Sequence, residues 1–290
     1  MELIQAKVET VASASLPWEE ARIMPVGDVQ LGAEGCDEDR FKRHVEWGMR
    51  NGAYFLGMGD YVDVASPSNR LKIKQAALYD SVNEALEEQA QVAIERFLKL
   101  VKGTEGRWLG LLSGHHYWEF QDGTTSDTRL AQALKSSHLG SCAFVRLQFA
   151  GRSKSATALS CTIWCHHGQG GGIKQGAPLN KLENLIGAFD ADIYLMAHMH
   201  KKVGGMIDQL YMTKKSPFKL RHRTKLIAGT GGFLRGYLQG SKQGKVASGN
   251  YVEKAMMGPV ALGGILIKVR PVRERTVGQD EARLDIGVEL

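Results

Sequence analysis

Apolar residues recur along this chain in two rhythms. Short runs dense in Val, Ile, Leu and Met alternate with stretches where apolar positions return every three or four residues. The first rhythm predicts strands and the second helices, because side chains repeat with period 2 in an extended chain and 3.6 in a helix. "RIMPVGDV" (22–29) reads as a strand entering a turn. "EDRFKRHVEWGMRNG" (38–52) reads as a helix with Phe41, Val45 and Met49 on one face and Asn51-Gly52 as its stop. "AYFLGMGDYVD" is a second strand, ending on Asp60 and Asp63. A single long helix is expected from about Leu71 to Lys102, with Leu78, Val82, Leu86, Ala90, Ala93, Phe97 and Val101 inward. "RWLGLLSGHHYW" is another strand. "AFVRLQF" and "ALSCTIWCHHG" are a pair joined by the loop "AGRSKSAT". "PLNKLENLIGAFD" is a short helix with Leu182, Leu185, Ile186 and Phe189 inward, and "DIYLMAHMH" (192–200) is a strand. "TKLIAGTGGFL" and "GPVALGGILIKV" add more, and the residues from Arg270 onward read as a surface tail or an edge element. Strand, turn and helix in repetition predict a layered α/β fold. No linker separates two cores, so residues 1–290 read as one domain with a core from about 20 to 270 and extensions at both ends.

Composition narrows the class. The chain has 290 residues, 43% of them hydrophobic, which supplies a core of ordinary globular size. No apolar run is long enough to cross a bilayer, so no membrane association is expected. The opening "MELIQAKVETVASASL" lacks the basic and apolar regions of a secretory signal. Cys36, Cys142, Cys161 and Cys165 form no Cys-x-x-Cys pair, which suits a reducing, cytoplasmic setting. Cys165, beside two histidines, reads first as a buried strand cysteine and second as a nucleophile or ligand. Net charge is +6 and the excess is local: residues 201–225 carry eight Lys/Arg against one acid, Asp208. That stretch reads either as a solvated loop or as a surface that steers a polyanion.

Chemistry gathers at the strand ends. In an extended chain residues i and i+2 share a face, so His198 and His200 are expected to aim at one common point. Asp28 and Gln30 stand in "GDVQ", Asp60 and Asp63 in "GDYVD", His115 and His116 in "SGHHYW", and His166 and His167 in "CHHG". Each alone is a turn former or a loop histidine. Five strands ending in carboxylates or imidazoles point together to a metal site, because open α/β sheets gather ligands at the carboxyl ends of their strands.

In order and spacing, "GDVQ … GDYVD … GHHY … HHG … AHMH" resembles the calcineurin-like metallophosphoesterases over about Gly27 to His200. The likeness is greatest to the nuclease and phosphodiesterase branch, and in particular to phage-encoded members. It implies a four-layer α/β/β/α sandwich, two mixed sheets flanked by helices, with two divalent ions at one end. Mn²⁺ is favoured, with Fe, Zn, Ni or Mg as alternatives. Carried across by motif, Asp28 and His200 would bind the first ion, with Gln30 where the family has His. Asp60 would bridge both ions through its two oxygens. His167, His198 and His115 would bind the second ion, His115 standing where the family has Asn. His116 would protonate the leaving oxygen, Asp63 would support the site by hydrogen bonding, and His166 matches no ligand. Tyr117 replaces the acid that orients the catalytic histidine, and Glu119 or Asp122 is the expected substitute.

The implied activity is hydrolysis of a phosphodiester by a hydroxide between the ions. The substrate would be DNA or a nucleotide, and the enzyme a possible homodimer. The alternatives are a phosphomonoesterase acting on a small molecule or phosphoprotein, and a non-catalytic binding module. The glycines of "HHGQGGGIKQG" either let backbone approach a phosphate or form a mobile turn. Phe233, Arg235 and Tyr237 either clamp a nucleotide or serve as packing.

Overall fold

The computed structural model describes residues 11–76, 79–150, 159–214, 218–243, 246–247, 249, 251–276 and 279–290. The loop read at "AGRSKSAT" from Gly151 onward, Leu78, and the first ten residues of the opening segment lie outside the described residues.

Fourteen strands and six helices are present among the described residues. The strands are β1 Val11–Leu16, β2 Ala21–Gly27, β3 Tyr54–Gly59, β4 Trp108–Leu111, β5 Cys142–Phe149, β6 Leu159–His166 and β7 Ile193–Met196. They continue with β8 Lys202–Met212, β9 Leu220–Gly232, β10 Lys242–Gln243, β11 Val246–Ala247, β12 Gly263–Gly264, β13 Leu266–Thr276 and β14 Gln279–Glu289. The helices are α1 Glu38–Arg50, α2 Pro67–Ala76, α3 Asp80–Leu100, α4 Ser126–Ala133, α5 Ala177–Glu183 and α6 Tyr251–Lys254. A seven-stranded sheet runs β1-β5-β6-β7-β9-β12, with β8 paired to β9. A five-stranded sheet runs β14-β13-β2-β3-β4. Both are mixed: β2, β3 and β4 are parallel, as are β6, β7 and β9, while β5–β6 and β13–β14 are antiparallel. The molecule is thus an α/β protein with two mixed sheets.

Period-2 patterning distributes the core. On β6, Cys161, Ile163 and Cys165 face a buried cluster shared with Ile23, Leu56, Met58 and Ile267 of the five-stranded sheet. Trp164, between them, points the other way and packs with Leu182 of α5, Tyr194 and Ile227. The second face of the five-stranded sheet, through Met24, Val26 and Phe55, packs on Phe41 and Val45 of α1, Ile94 and Phe97 of α3, and Leu130 of α4. α1 begins where the Asp37 carboxylate accepts a hydrogen bond from the Arg40 amide at 3.1 Å. It ends at Asn51, after which Gly52 takes φ +68°. Cys165 is buried, its pKa raised by burial to about 12, so it is a core cysteine and not a nucleophile. No described helix is long and apolar enough to cross a membrane.

Several sequence expectations are corrected. The long helix is two helices, α2 and α3, and Val82 is exposed. β1 and α4 carried no signal strong enough to be read. The strand ending in His-x-His stops at Met196, so both histidines lie on the loop beyond it. Most of the described basic stretch is strand and not loop: β8 and β9 pair antiparallel over eleven residue pairs. From Arg270 onward the chain is an edge, with β14 as the outer strand of its sheet.

Candidate metal centre

Five segments leave parallel strands at the same end and converge. Asp28 and Gln30 follow β2, Asp60 and Asp63 follow β3, His115 and His116 follow β4, His167 follows β6, and His198 and His200 follow β7. Five of these residues adopt left-handed backbone: Asp28 (φ 49°), Gln30 (49°), Asp60 (53°), His198 (64°) and His200 (53°). Only two other described non-glycine residues do so, Lys135 and Met256. Such backbone costs about 1–3 kcal/mol per residue and concentrates at functional sites. It also changes which way each side chain points. The extended-chain argument that His198 and His200 share one target is therefore wrong: His198 Nδ1 lies 3.3 Å from His115 Nδ1, while His200 Nε2 lies 3.8 Å from Asp28 Oδ1.

Asp60, His115, His167 and His198 form one group whose ligand atoms all lie within 4.8 Å of one another. Asp60 Oδ1 accepts hydrogen bonds from the His115 amide and from the His116 amide, the latter at 3.0 Å. Those two bonds occupy that oxygen, and Oδ2 faces His167 Nε2 at 3.3 Å. Asp60 thus turns Oδ2 toward the group while the loop amides hold Oδ1. His167 Nδ1 donates to the Met58 carbonyl at 2.7 Å, which fixes the ring with Nε2 toward the group. Two glycines allow this approach. A Cβ on Gly114 would stand 2.0 Å from the Asp60 amide nitrogen, and one on Gly59 would stand 2.7 Å from His167 Nδ1.

A second set lies alongside. Asp28 is fully buried, and among the described residues only the His198 amide and the His200 imidazole, at 3.8 Å, approach its carboxylate, neither close enough to satisfy an oxygen fully. Gln30 Oε1 is buried and unpartnered as well. Buried acceptors without donors are costly, at about 1–3 kcal/mol each. A divalent cation is the partner that oxygen and imidazole donors of this kind fit. Burial raises the Asp28 pKa, and nearby His200 and His167 only partly offset it.

His116 stands at the rim. Its Nδ1 donates to Asp63 Oδ1 at 2.7 Å, and its Nε2 lies 4.0 Å from Asp60 Oδ2. Asp63 thus orients this ring, and the substitutes expected from the sequence do not. Glu119 pairs with Lys74 at 2.8 Å, and Asp122 pairs with Arg129 at 2.9 Å. Tyr117 has another task. Its ring carries the Arg70 guanidinium at 3.7 Å, and Arg70 donates to the carbonyls of Tyr117, His115 and Ala65. Asp127 acts from the other side, accepting from the Gly114 amide at 2.9 Å. Arg70 and Asp127 hold the His115–His116 loop, and neither was legible in the sequence. His166 accepts from the Gly168 amide at 2.7 Å and shapes that turn.

Other sequence candidates are occupied elsewhere. Phe233 is buried, its ring 5.1 Å from that of Phe41. Arg235 pairs with Asp37 at 2.6 Å. Within the basic stretch, Lys201 Nζ donates to the carbonyls of Gly172, Ile173 and Lys174. Arg223 pairs with Asp190 and Asp192, and Lys225 is buried against the Ala191 carbonyl and the Tyr194 hydroxyl.

Protonation follows the geometry. Burial opposes a charge on His167, but the hydrogen bond and charge of Asp60 outweigh it and raise the pKa to about 9. Burial opposes the Asp60 carboxylate too, and the hydrogen bond and charge of His167 reverse this, holding it well below the usual carboxylate range. Burial, His167 and His115 pull His198 down to about 4, and burial and His167 lower His115. At neutral pH two imidazoles are bare and His167 carries a proton that a bound cation must displace. Divalent-metal affinity is therefore expected to rise by about tenfold per pH unit toward about pH 9 and then level off. The sign for stability is opposite. A folded pKa raised from 6.5 to about 9 gives the metal-free protein stability that is full below 6.5 and lost as pH rises through about 9. Calorimetric metal titrations and metal-free thermal melts across that window check both trends. A flat affinity profile would show that His167 carries no displaceable proton.

No protein-family model matches the chain, and no curated protein does. What the site establishes is a buried Asp/His group that could hold a metal ion.

Proposed function

We propose that this chain is a two-metal-dependent phosphoesterase of the calcineurin-like kind, built as an α/β/β/α sandwich and acting on phosphodiester bonds. The observation that carries the reading is the pair of adjoining donor sets. One set comprises Asp28, Gln30 and His200, with buried oxygens that no protein donor satisfies, and the other comprises Asp60, His115, His167 and His198, whose ligand atoms all lie within 4.8 Å of one another. Their order along the chain supports the same reading. When bound, divalent ions neutralise the phosphate and make a nucleophile from water at neutral pH.

The chain's own groups do the rest. Asp60 presents Oδ2 toward the site from a carboxylate whose other oxygen is locked by two amides. The His115 and His116 amides fix that carboxylate, so it does not rotate away when substrate charge arrives. Burial disfavours charge on His116, but the hydrogen bond to Asp63 and the charge of Asp60 raise its pKa overall. His116 is thus kept as a proton donor near neutral pH, with Nε2 free to protonate a leaving oxygen. Gln30, an oxygen donor where the family has histidine, favours Mn²⁺ over Zn²⁺.

The test is Mn²⁺-dependent hydrolysis by chelator-stripped protein of bis-p-nitrophenyl phosphate, p-nitrophenyl phosphate and single-stranded DNA. Turnover of the diester, restored by Mn²⁺ and exceeding that of the monoester, is expected. Less than one metal per chain after Mn²⁺ dialysis, with no ester turned over, would overturn the reading in favour of a non-catalytic module.

A further inference from the structure

The candidate metal centre forms the floor of a cavity of about 500 Å³, through Asp60, His116 and His198 among others. That volume is typical of a small-molecule site. Its upper walls differ sharply from its floor. They are built by Ile173, Met199, Leu234, Met256, Met257 and Val260, from four separate stretches of chain. The cationic residue lining the cavity, Lys201, spends its ammonium on the carbonyls of Gly172, Ile173 and Lys174. It pins the glycine-rich loop as part of the wall and is not directed at a phosphate.

Three of the wall residues are exposed where water reaches them: Ile173 is 98% exposed, Met256 92% and Met257 49%. Large apolar side chains left open around a polar floor mark a binding surface. Methionine adapts its shape to varied apolar ligands. We infer that the site takes a small phosphoester whose second ester group is apolar, an alkyl or aryl chain laid against Ile173, Met256 and Met257 while the phosphate meets the floor. The inference rests on the phosphoesterase reading above. It follows from the wall chemistry: among the described residues, the six wall side chains carry no charge, so what extends from the floor along them is neutral and apolar. A polynucleotide, with a phosphate at every step, places its next charges on this apolar rim.

The experiment compares methyl p-nitrophenyl phosphate with hexyl p-nitrophenyl phosphate, which share a leaving group, on the Mn²⁺-loaded protein. A KM at least roughly tenfold lower for the hexyl ester, with kcat within about threefold, is expected, since each methylene buried adds binding without touching the reacting bond. Ile173→Asp and Met257→Asp, both at exposed positions, should bring the hexyl-to-methyl ratio of kcat/KM toward one; both esters carry the same single charge, so repulsion by the added carboxylate cancels in that ratio. Calorimetry with hexyl phosphate and methyl phosphate gives a second readout that needs no turnover. Equal KM values for the two esters, with both hydrolysed, would overturn the apolar seat and leave the phosphoesterase reading standing. Preferential hexyl phosphate binding with neither ester hydrolysed would support the seat and overturn the activity. Sedimentation of the same variants covers the remaining occupant. A dimer dispersed by Ile173→Asp, with ester preference unmoved, would assign these residues to a second copy of the chain and overturn the inference.

Discussion

Asp60→Asn is expected to fold and to bind no ion at the group it forms with His115, His167 and His198. Asparagine keeps an oxygen that can accept the His115 and His116 amides, so the loop stays in place. What is lost is the negative charge at the position of Oδ2, 3.3 Å from His167 Nε2. Metal affinity should fall by more than roughly 10²-fold, beyond the effect of changing an outer hydrogen-bond partner. Activity should fall to background. A second readout is independent of turnover: with the Asp60 charge and hydrogen bond gone, burial opposes the charge on His167 with less to offset it, and its pKa should fall from about 9. Elemental analysis and histidine NMR titration check the two parts. Full metal content in the variant would remove Asp60 from the centre of the scheme.

His116→Ala should separate binding from chemistry. Its ring is tied to Asp63 and its Nε2 lies 4.0 Å from the nearer Asp60 oxygen, so it belongs to the rim and not to the donor group. Metal content should be unchanged. Turnover should fall by about 10²–10⁴-fold for esters with poor leaving groups, the usual loss on removing a general acid. With p-nitrophenolate as the leaving group the loss should be far smaller, because that anion departs without a proton. Equal losses on both ester types would mean that His116 serves positioning and donates no proton.

The sequence made the clustered residues legible and left their geometry hidden. Asp28, Asp60, His115, His116, His167, His198 and His200 could be read because each directly follows an apolar run, and runs of that kind end where a sheet ends. Their directions could not, because period-2 reasoning stops with the strand. His198 and His200 lie past Met196 on left-handed backbone and diverge toward different partners. Arg70 was hidden for another reason: it acts on main-chain carbonyls of a loop 45 residues away, and no side-chain pattern announces such a bond. The break between α2 and α3 was masked by an apolar spacing that runs through it. The β8 strand was masked because its apolar residues, Met206, Leu210, Tyr211 and Met212 among them, stand exposed and do not alternate with polar ones.

The five left-handed residues carry one last consequence. Asp28, Gln30, Asp60, His198 and His200 occupy a conformation that glycine would adopt without penalty. Natural or laboratory selection for thermal robustness alone would thus favour erasing them, Gln30 first, since aspartate and histidine tolerate that conformation better. Their persistence in a working lineage would record an opposing demand on the chain, and heat-resistant variants that lose these side chains are the trace by which that conflict could be watched.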